Sequence, residues 1–261
     1  MRRIFRWQSV AFAAAISGAA SSWAADFSAD QVRDILSRAD SAKPADFADK
    51  DLSDLDLSNV DFGRADLSGA NLFGTRLVSA NLAGAKLVRA TLNGAWVMGA
   101  TFAGADLSSS SMLSLVILGG SVKENPNFAG ANLSGVRMIA ELAGANLRGA
   151  NLSGAKLGVD IKNQGMGQMR TDLSGANLAG ANLSHADLNR SLMTFADLKG
   201  ADLRGANLYR VKLSGADLTG ANIADADFTE ADLDGTVFRS VTGMNAAKGM
   251  DRATGRDRAI Y

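Results

Sequence analysis

From Phe47 onward an apolar residue occupies every fifth position, through Leu52, Leu57, Phe62, Leu67 and Leu72 to Ile117, without a miss over 15 periods. An α-helix repeats its faces every 3.6 residues and a strand every two, so neither accounts for a beat of five. The beat resumes at Phe128, Leu133 and Met138, shifts to Leu142, Leu147, Leu152 and Leu157, and runs from Leu173 to Phe238 for 14 more positions. All 36 central positions are apolar and 24 are Leu; the residue two before is Ala in 24 cases, and the one immediately before is Asp or Asn in 23. The unit is Ala-(Asp/Asn)-Leu-x-x, as in Ala65-Asp66-Leu67-Ser68-Gly69 and Ala216-Asp217-Leu218-Thr219-Gly220. A unit this short buries nothing alone, so successive units must stack to enclose a core.

Over roughly Ala45 to Phe238 this pattern resembles the pentapeptide-repeat family. The resemblance implies an all-β fold, a right-handed quadrilateral parallel β-helix in which four units make a coil, residue n lies against residue n+20, and the 36 units form about nine coils. At the spacing of neighbouring strands, about 4.8 Å, the rod is on the order of 43 Å long. In this register Leu fills the axis and Ala keeps the wall narrow. Gly at the fifth position, as at Gly69, Gly74, Gly84, Gly200 and Gly205, takes the positive φ of a type II corner. Asp and Asn bond the turn backbone, which makes them structural and not a calcium site. The columns Asn182, Asp202, Asn222 and Asp187, Asn207, Asp227 alternate amide with carboxylate. Asp66 over Lys86 and Lys86 over Asp106 pair opposite charges, while Asp197 over Asp217 is the one Asp pair in the last block.

The ends depart from the beat. Arg2, Arg3 and Arg6 precede an apolar stretch of 11 residues, Val10 to Ala20, and Ser22-Trp23-Ala24 offers a cleavage site. Residues 1–24 therefore read as a signal peptide cut after Ala24, with export to the periplasm by the general or the twin-arginine route. The stretch is too short for a stable anchor, which needs about 20 residues. In 25–44, Ser28 with Gln31 forms a capping box, and Val32, Ile35, Leu36 and Ala39 share one helical face that lids the first coil. The tail 239–261 reads as one or two short helical turns closing the last coil; Ala259-Ile260-Tyr261 is a candidate homodimer contact. Two segments interrupt the 45–238 repeat region, Leu118 to Asn127 and Gly158 to Arg170. The second contains Asn163 to Arg170, a projecting loop; its Gly165 and Gly167 alone do not make a phosphate-binding turn.

Composition narrows the chemistry. Formal charge is zero over 261 residues, and removing the leader leaves 24 basic against 27 acidic side chains, a net −3, without the basic excess that advertises nucleic-acid binding. Cys is absent and His185 is the one histidine, an outward-facing residue over Gly205 and Asp225. Ser108 to Ser111 have no base to activate them. No catalytic, cofactor-binding or metal site assembles, and the chain reads as a non-enzymatic exported scaffold for protein–protein interaction.

The candidate partner-binding patch comprises Phe73, Val78, Trp96, Met98, Leu113, Val116 and Leu118, beside Arg76; a patch of this kind either meets a partner or is covered by the 119–127 segment. A smaller group is Arg190, Leu192, Phe195, Tyr209 and Arg210. The alternatives are a DNA-mimicking, gyrase-binding relative, which needs a cytosolic address and an acidic stripe, and an accessory factor to an envelope enzyme acting through 158–170.

Overall fold

The computed structural model describes residues 25–40, 42–117, 125–159 and 170–261. The leader read at 1–24, Leu118 with the rest of 118–124, and 160–169, which include Gly165 and Gly167, lie outside the described residues.

Four columns of parallel bridges form four sides. The first side runs Asp46, Asp66, Lys86, Asp106 and on through Asn182 and Asp202 to Thr242; the second starts at Asp51, the third at Asp56 and the fourth at Asp61. Each side repeats one hydrogen-bond scheme. The N–H of Asp66 donates back to the Ala45 carbonyl at 2.9 Å, and the N–H of Leu67 donates forward to the Lys86 carbonyl at 2.7 Å. The Gly69 N–H also donates forward, to Val88, and the Ala70 N–H closes the corner on Leu67 at 3.0 Å. Gly69 holds φ 69°, as a type II corner requires. The Asp66 carboxylate accepts the Ser68 N–H at 3.0 Å, a bond repeated along most of the stack. Between coils, Asn71 Nδ2 donates to Asp51 at 3.1 Å, Asn81 to Asp61 at 2.8 Å and Asn207 to Asp187 at 2.9 Å, so amides separate carboxylates that would repel. The predicted stacking of Asp197 on Asp217 is answered by Lys199, whose Nζ lies 3.4 Å from the first and 3.1 Å from the second.

The axis is filled by the beat residues, nearly all with no exposed surface, and the Ala positions are buried beside them. Ile117, at the edge of the first interruption, is only partly buried. Phenylalanines gather where the stack starts, breaks and stops. Phe47 and Phe62 meet edge-on at 6.3 Å near the start, Phe102 and Phe128 stack at 4.9 Å across the first interruption, and Phe228 meets Phe238 at 6.1 Å near the end. A wide ring fills gaps that a Leu column leaves at an irregular step, adding about 0.5–1.5 kcal/mol per pair beyond the area buried.

The 20-residue step changes three times. Thr101 pairs with Asn127, 26 positions on; Asn127 pairs with Asn146 after 19; Asn146 pairs with Asn177 after 31. The extra residues leave the wall between the third and fourth sides after Ile117, and between the second and third sides after Leu157. The missing residue is taken from the second-to-third corner, where strand β2 (Arg137–Ile139) lies parallel to β1 (Ser111–Leu113).

Buried hydroxyls repair these steps. Thr171, fully buried, stands in an Ala position and donates to the Leu157 carbonyl at 2.7 Å and the Met138 carbonyl at 3.2 Å; Ser191 also reaches Leu157. In the regular part of the stack, Thr75 of the second coil likewise donates to the Leu52 carbonyl of the first at 2.8 Å. Thr171→Val keeps the shape and removes the donor, so urea unfolding is expected to show a loss of about 1–3 kcal/mol, with Thr171→Ser losing clearly less. Equal losses in both would show that the methyl group matters and the hydrogen bonds do not.

At the head, helix α1 (Ala29–Ser37) starts with both arms of the Ser28–Gln31 capping box. Val32 is fully buried, Ile35, Leu36 and Ala39 pack on the core, and Phe27 meets Phe47 edge-on at 5.9 Å. The lid also closes backbone. Asp26 receives the Asp51 N–H on its carboxylate at 2.9 Å and gives its own N–H to the Asp51 carbonyl at 2.7 Å, while Arg33 donates to the Asp56 carbonyl at 2.9 Å.

The tail differs from the one or two helical turns expected. It is a further, wider coil with three 3-10 turns, Met244–Ala246, Met250–Arg252 and Arg256–Arg258. Its bridges advance by 21, 22 and 23 residues, at Asp227 to Lys248, Asp232 to Thr254 and Val237 to Ile260. The reason is that Gly243, Gly249 and Gly255 replace the axial Leu at three of its positions, and the longer corner brings Met244 and Met250 against the core instead; at the fourth, after Ile260, Tyr261 stacks on Phe238 at 5.7 Å. No residue of the three turns is buried, and among the described residues the N–H groups of Gly243, Gly249 and Gly255 have no backbone acceptor.

Candidate functional site

Three of the four sides present mainly Asp, Asn, Thr, Ser and Lys. The third side does not: it reads Asp56, Arg76, Trp96, Val116 and, past the shortened corner, Glu141, Asp172, Leu192, Lys212, Asp232, Thr254. Both insertions and the deletion lie on the two corners that bound this side. A rod wall without such departures has a uniform polar surface, so changes of length and large apolar side chains meeting on one side distinguish it from the rest.

The register brings Arg76, Trp96 and Val116 together as read from the sequence, and the Arg76 guanidinium lies 4.7 Å from the centre of the Trp96 ring. Arg76 also reaches Asp56 at 3.7 Å, so its charge is balanced from both directions. Phe73 is 53% exposed at the corner, and Val78, Trp96, Leu113 and Val116 are half-buried. Met98 is buried and contributes little surface, and Leu118 lies outside the described residues.

The smaller group divides. Phe195 is 76% exposed and sits at a φ of 57°, a conformation unusual for a bulky residue, with its ring laid over Gly215 so that a Cβ there would collide with it. Leu192 is its half-buried neighbour on the third side. Arg210 is already engaged: it stacks 5.0 Å from the Tyr209 ring centre and pairs with Glu230 at 2.6 Å, while Glu230 also meets Arg252. Those contacts tie the terminal coil to the stack.

A groove of about 920 Å³ lies on the second side at the root of the longer insertion, lined by residues including Arg137, Lys156, His185, Asp187, Asn207 and Tyr209. Its polar floor serves the wall: Asp187 Oδ1 accepts from the Asn189 N–H at 3.2 Å, Asn189 Nδ2 at 2.9 Å and Asn207 Nδ2 at 2.9 Å. His185 packs against Gly205. Among the described residues no group of three or more His, Asp or Glu is arranged to hold a metal ion.

The carboxylates show the same structural use. Hydrogen bonding from Ser68 holds Asp66 below the usual carboxylate range despite partial burial, and Lys86 adds to this. Partial burial pushes Asp217 up, but Thr219 and Lys199 outweigh it and the carboxyl lies low; Lys199 is raised in turn by Asp217 and then Asp197.

Stacked parallel bridges on four sides around an apolar axis define a β-helical solenoid. A profile of the family described as pentapeptide repeats matches eight copies, at residues 45–74, 65–104, 75–112, 124–158, 171–210 and 202–239. The chain belongs to the pentapeptide-repeat family, whose fold is a right-handed β-helix. Among solved structures it is similar to HetL, a pentapeptide repeat protein involved in heterocyst differentiation regulation from the cyanobacterium Nostoc, at 32% identity over 83% of this chain and 92% of that one, with a TM-score of 0.37. Full-length QnrB1, a plasmid-mediated fluoroquinolone resistance protein, is 20% identical over 79% of this chain and 90% of its own, with a TM-score of 0.50. A pentapeptide repeat protein of the Arabidopsis thaliana thylakoid lumen is 29% identical, covering 42% of this chain and 67% of that one, with a TM-score of 0.24. A search of curated proteins finds no match.

Proposed function

We propose that the protein is an exported, non-enzymatic scaffold whose third side recognises a protein partner, with 1–24 removed as a leader, 25–44 as the head lid, 45–238 as the repeat rod and 239–261 as the closing coil. The observation that carries this reading is the convergence of both insertions, the deletion and the exposed or half-exposed Phe73, Trp96, Val116, Leu192 and Phe195 on one side and its corners. Export rests on the Arg-flanked apolar leader. Membership of the family supports an interaction role over catalysis, and no cofactor enters the proposal.

A DNA-mimicking role needs unbroken acid along the rod. The first side instead carries Lys86, Asn132, Asn151 and Asn182 between its Asp residues, and the third carries Arg76 and Lys212. The open tail edge, with Ile260 and Tyr261 exposed, is the candidate contact for a homodimer.

Crosslinking and mass spectrometry of the protein in its own cells test the scaffold role directly. Proteins joined to the wild type are expected to be lost with Trp96→Glu and kept with Asn151→Glu on the first side. A bound set unchanged by Trp96→Glu removes the third side as the recognition surface, and recovery from the cytosol removes export.

A further inference from the structure

Four of the six charged residues of the third side are paired along their own column. Asp56 meets Arg76 at 3.7 Å and Lys212 meets Asp232 at 3.2 Å. Glu141 and Asp172 break the rule. They are bridge partners in successive coils, two acidic residues at facing positions of the same column, and neither has an ion pair among the described residues. Like charges placed opposite each other on neighbouring strands destabilise; at Asp197 and Asp217 a bridging Lys199 answers them, and at Asp46 and Asp66 the next coil's Lys86 pairs with Asp66. At Glu141 and Asp172 no such cation stands among the described residues, and the pair lies between two apolar islands, Trp96 with Val116 before it and Leu192 with Phe195 after it.

Resting on the scaffold reading above, we infer that the third side binds an extended segment of a partner protein that carries a Lys or Arg between two apolar residues. The dimensions set the spacing. Val116 to Leu192 spans three coil steps, roughly 14 Å at about 4.8 Å each, with the carboxylate pair roughly 7 Å from either end. An extended chain advances about 3.3 Å per residue and points every second side chain the same way, so residues i and i+4 reach the apolar islands at about 13 Å and i+2 meets the carboxylates between them. The segment recognised is apolar-x-(Lys/Arg)-x-apolar. Its cation supplies a counter-charge to Glu141 and Asp172, which have none among the described residues, and burial of the pair by the flanking apolar groups strengthens that contact.

Selection of a phage-displayed random 16-residue peptide library on the purified protein, followed by fluorescence titration of the synthetic consensus peptide, tests this. Expected is a consensus with the i, i+2, i+4 spacing, whose affinity falls tenfold or more with Glu141→Lys plus Asp172→Lys and with Trp96→Ala, and is unchanged by Asn151→Lys. Glu141→Gln is expected to weaken the peptide while raising the unfolding midpoint of the free protein, an opposition that a purely structural carboxylate does not produce. Peptides that need Trp96 but ignore both carboxylates overturn the basic centre and leave the third-side reading intact. Peptides indifferent to Trp96, or a library that yields no binder, overturn both.

Discussion

Leu203→Ala is expected to lower the free energy of unfolding by about 2–5 kcal/mol, toward the upper end of that range. Leu203 has no exposed surface and sits in the regular part of the stack, between the coils of Leu183 and Ile223. The cost of such a truncation depends on how far the surroundings collapse into the space left. Here they are held apart: Leu203 N–H bonds the Asn222 carbonyl at 2.7 Å, Asp202 N–H bonds Ala181 at 2.9 Å, and the flanking Ala201 and Ala206 have no longer side chain to swing inward. Denaturant unfolding at equilibrium reads the loss, and Leu203→Met is expected to cost under about 1.5 kcal/mol because it conserves volume. A loss below about 1 kcal/mol for the alanine variant would show that the axis relaxes freely, contrary to the packing described.

The second large effect is expected at the tail, where Gly249→Val should detach the last coil. Gly249 has φ 69°, and any Cβ there meets the hydroxyl and backbone of Thr229 in the coil before. A β-branched residue in that conformation carries about 1–3 kcal/mol of strain before the collision is counted. The bonds at stake are those from Lys248 to Ala226 and from Phe228 to Lys248, both 2.8 Å, with the 2.6 Å bond from Phe238 to Ile260 further along the same coil. Limited trypsin digestion is expected to cut the variant at Lys248 and Arg252 while the rod ahead of it survives, because each coil touches only its neighbours. Wild-type resistance in the variant would mean that the coil tolerates the side chain by shifting as a unit.

Much of this was legible because the five-residue beat constrains two coupled positions at once. The central Leu names the axis, the Ala two before it names the narrow wall, and the Asp or Asn between them bonds the turn, as at Asp66 and Ser68. The register followed from four sides, so the Arg76, Trp96, Val116 column and the Asp197–Asp217 conflict were readable without coordinates. Which corner an insertion leaves from was not, since a solenoid accepts extra residues wherever the axial positions resume. Nothing in the sequence tells what the Thr171 hydroxyl does; the carbonyls of Met138 and Leu157 show it. Met98 counted as surface by register, yet it is buried. The closing coil carried a signal that a search for fives passes over: Gly243, Gly249, Gly255 and Ala247, Ala253, Ala259 recur every six residues.

The lid seals the first edge of the stack at Asp51 and Asp56, and among the described residues the Gly243, Gly249 and Gly255 amides of the last coil have no backbone acceptor. Winding therefore has a direction. A chain delivered amino end first completes its sealed start before later turns arrive, and every new turn finds a ready template on the side from which the chain is still emerging. Growth and order of synthesis coincide, and the unfinished rim is never the one that was made first.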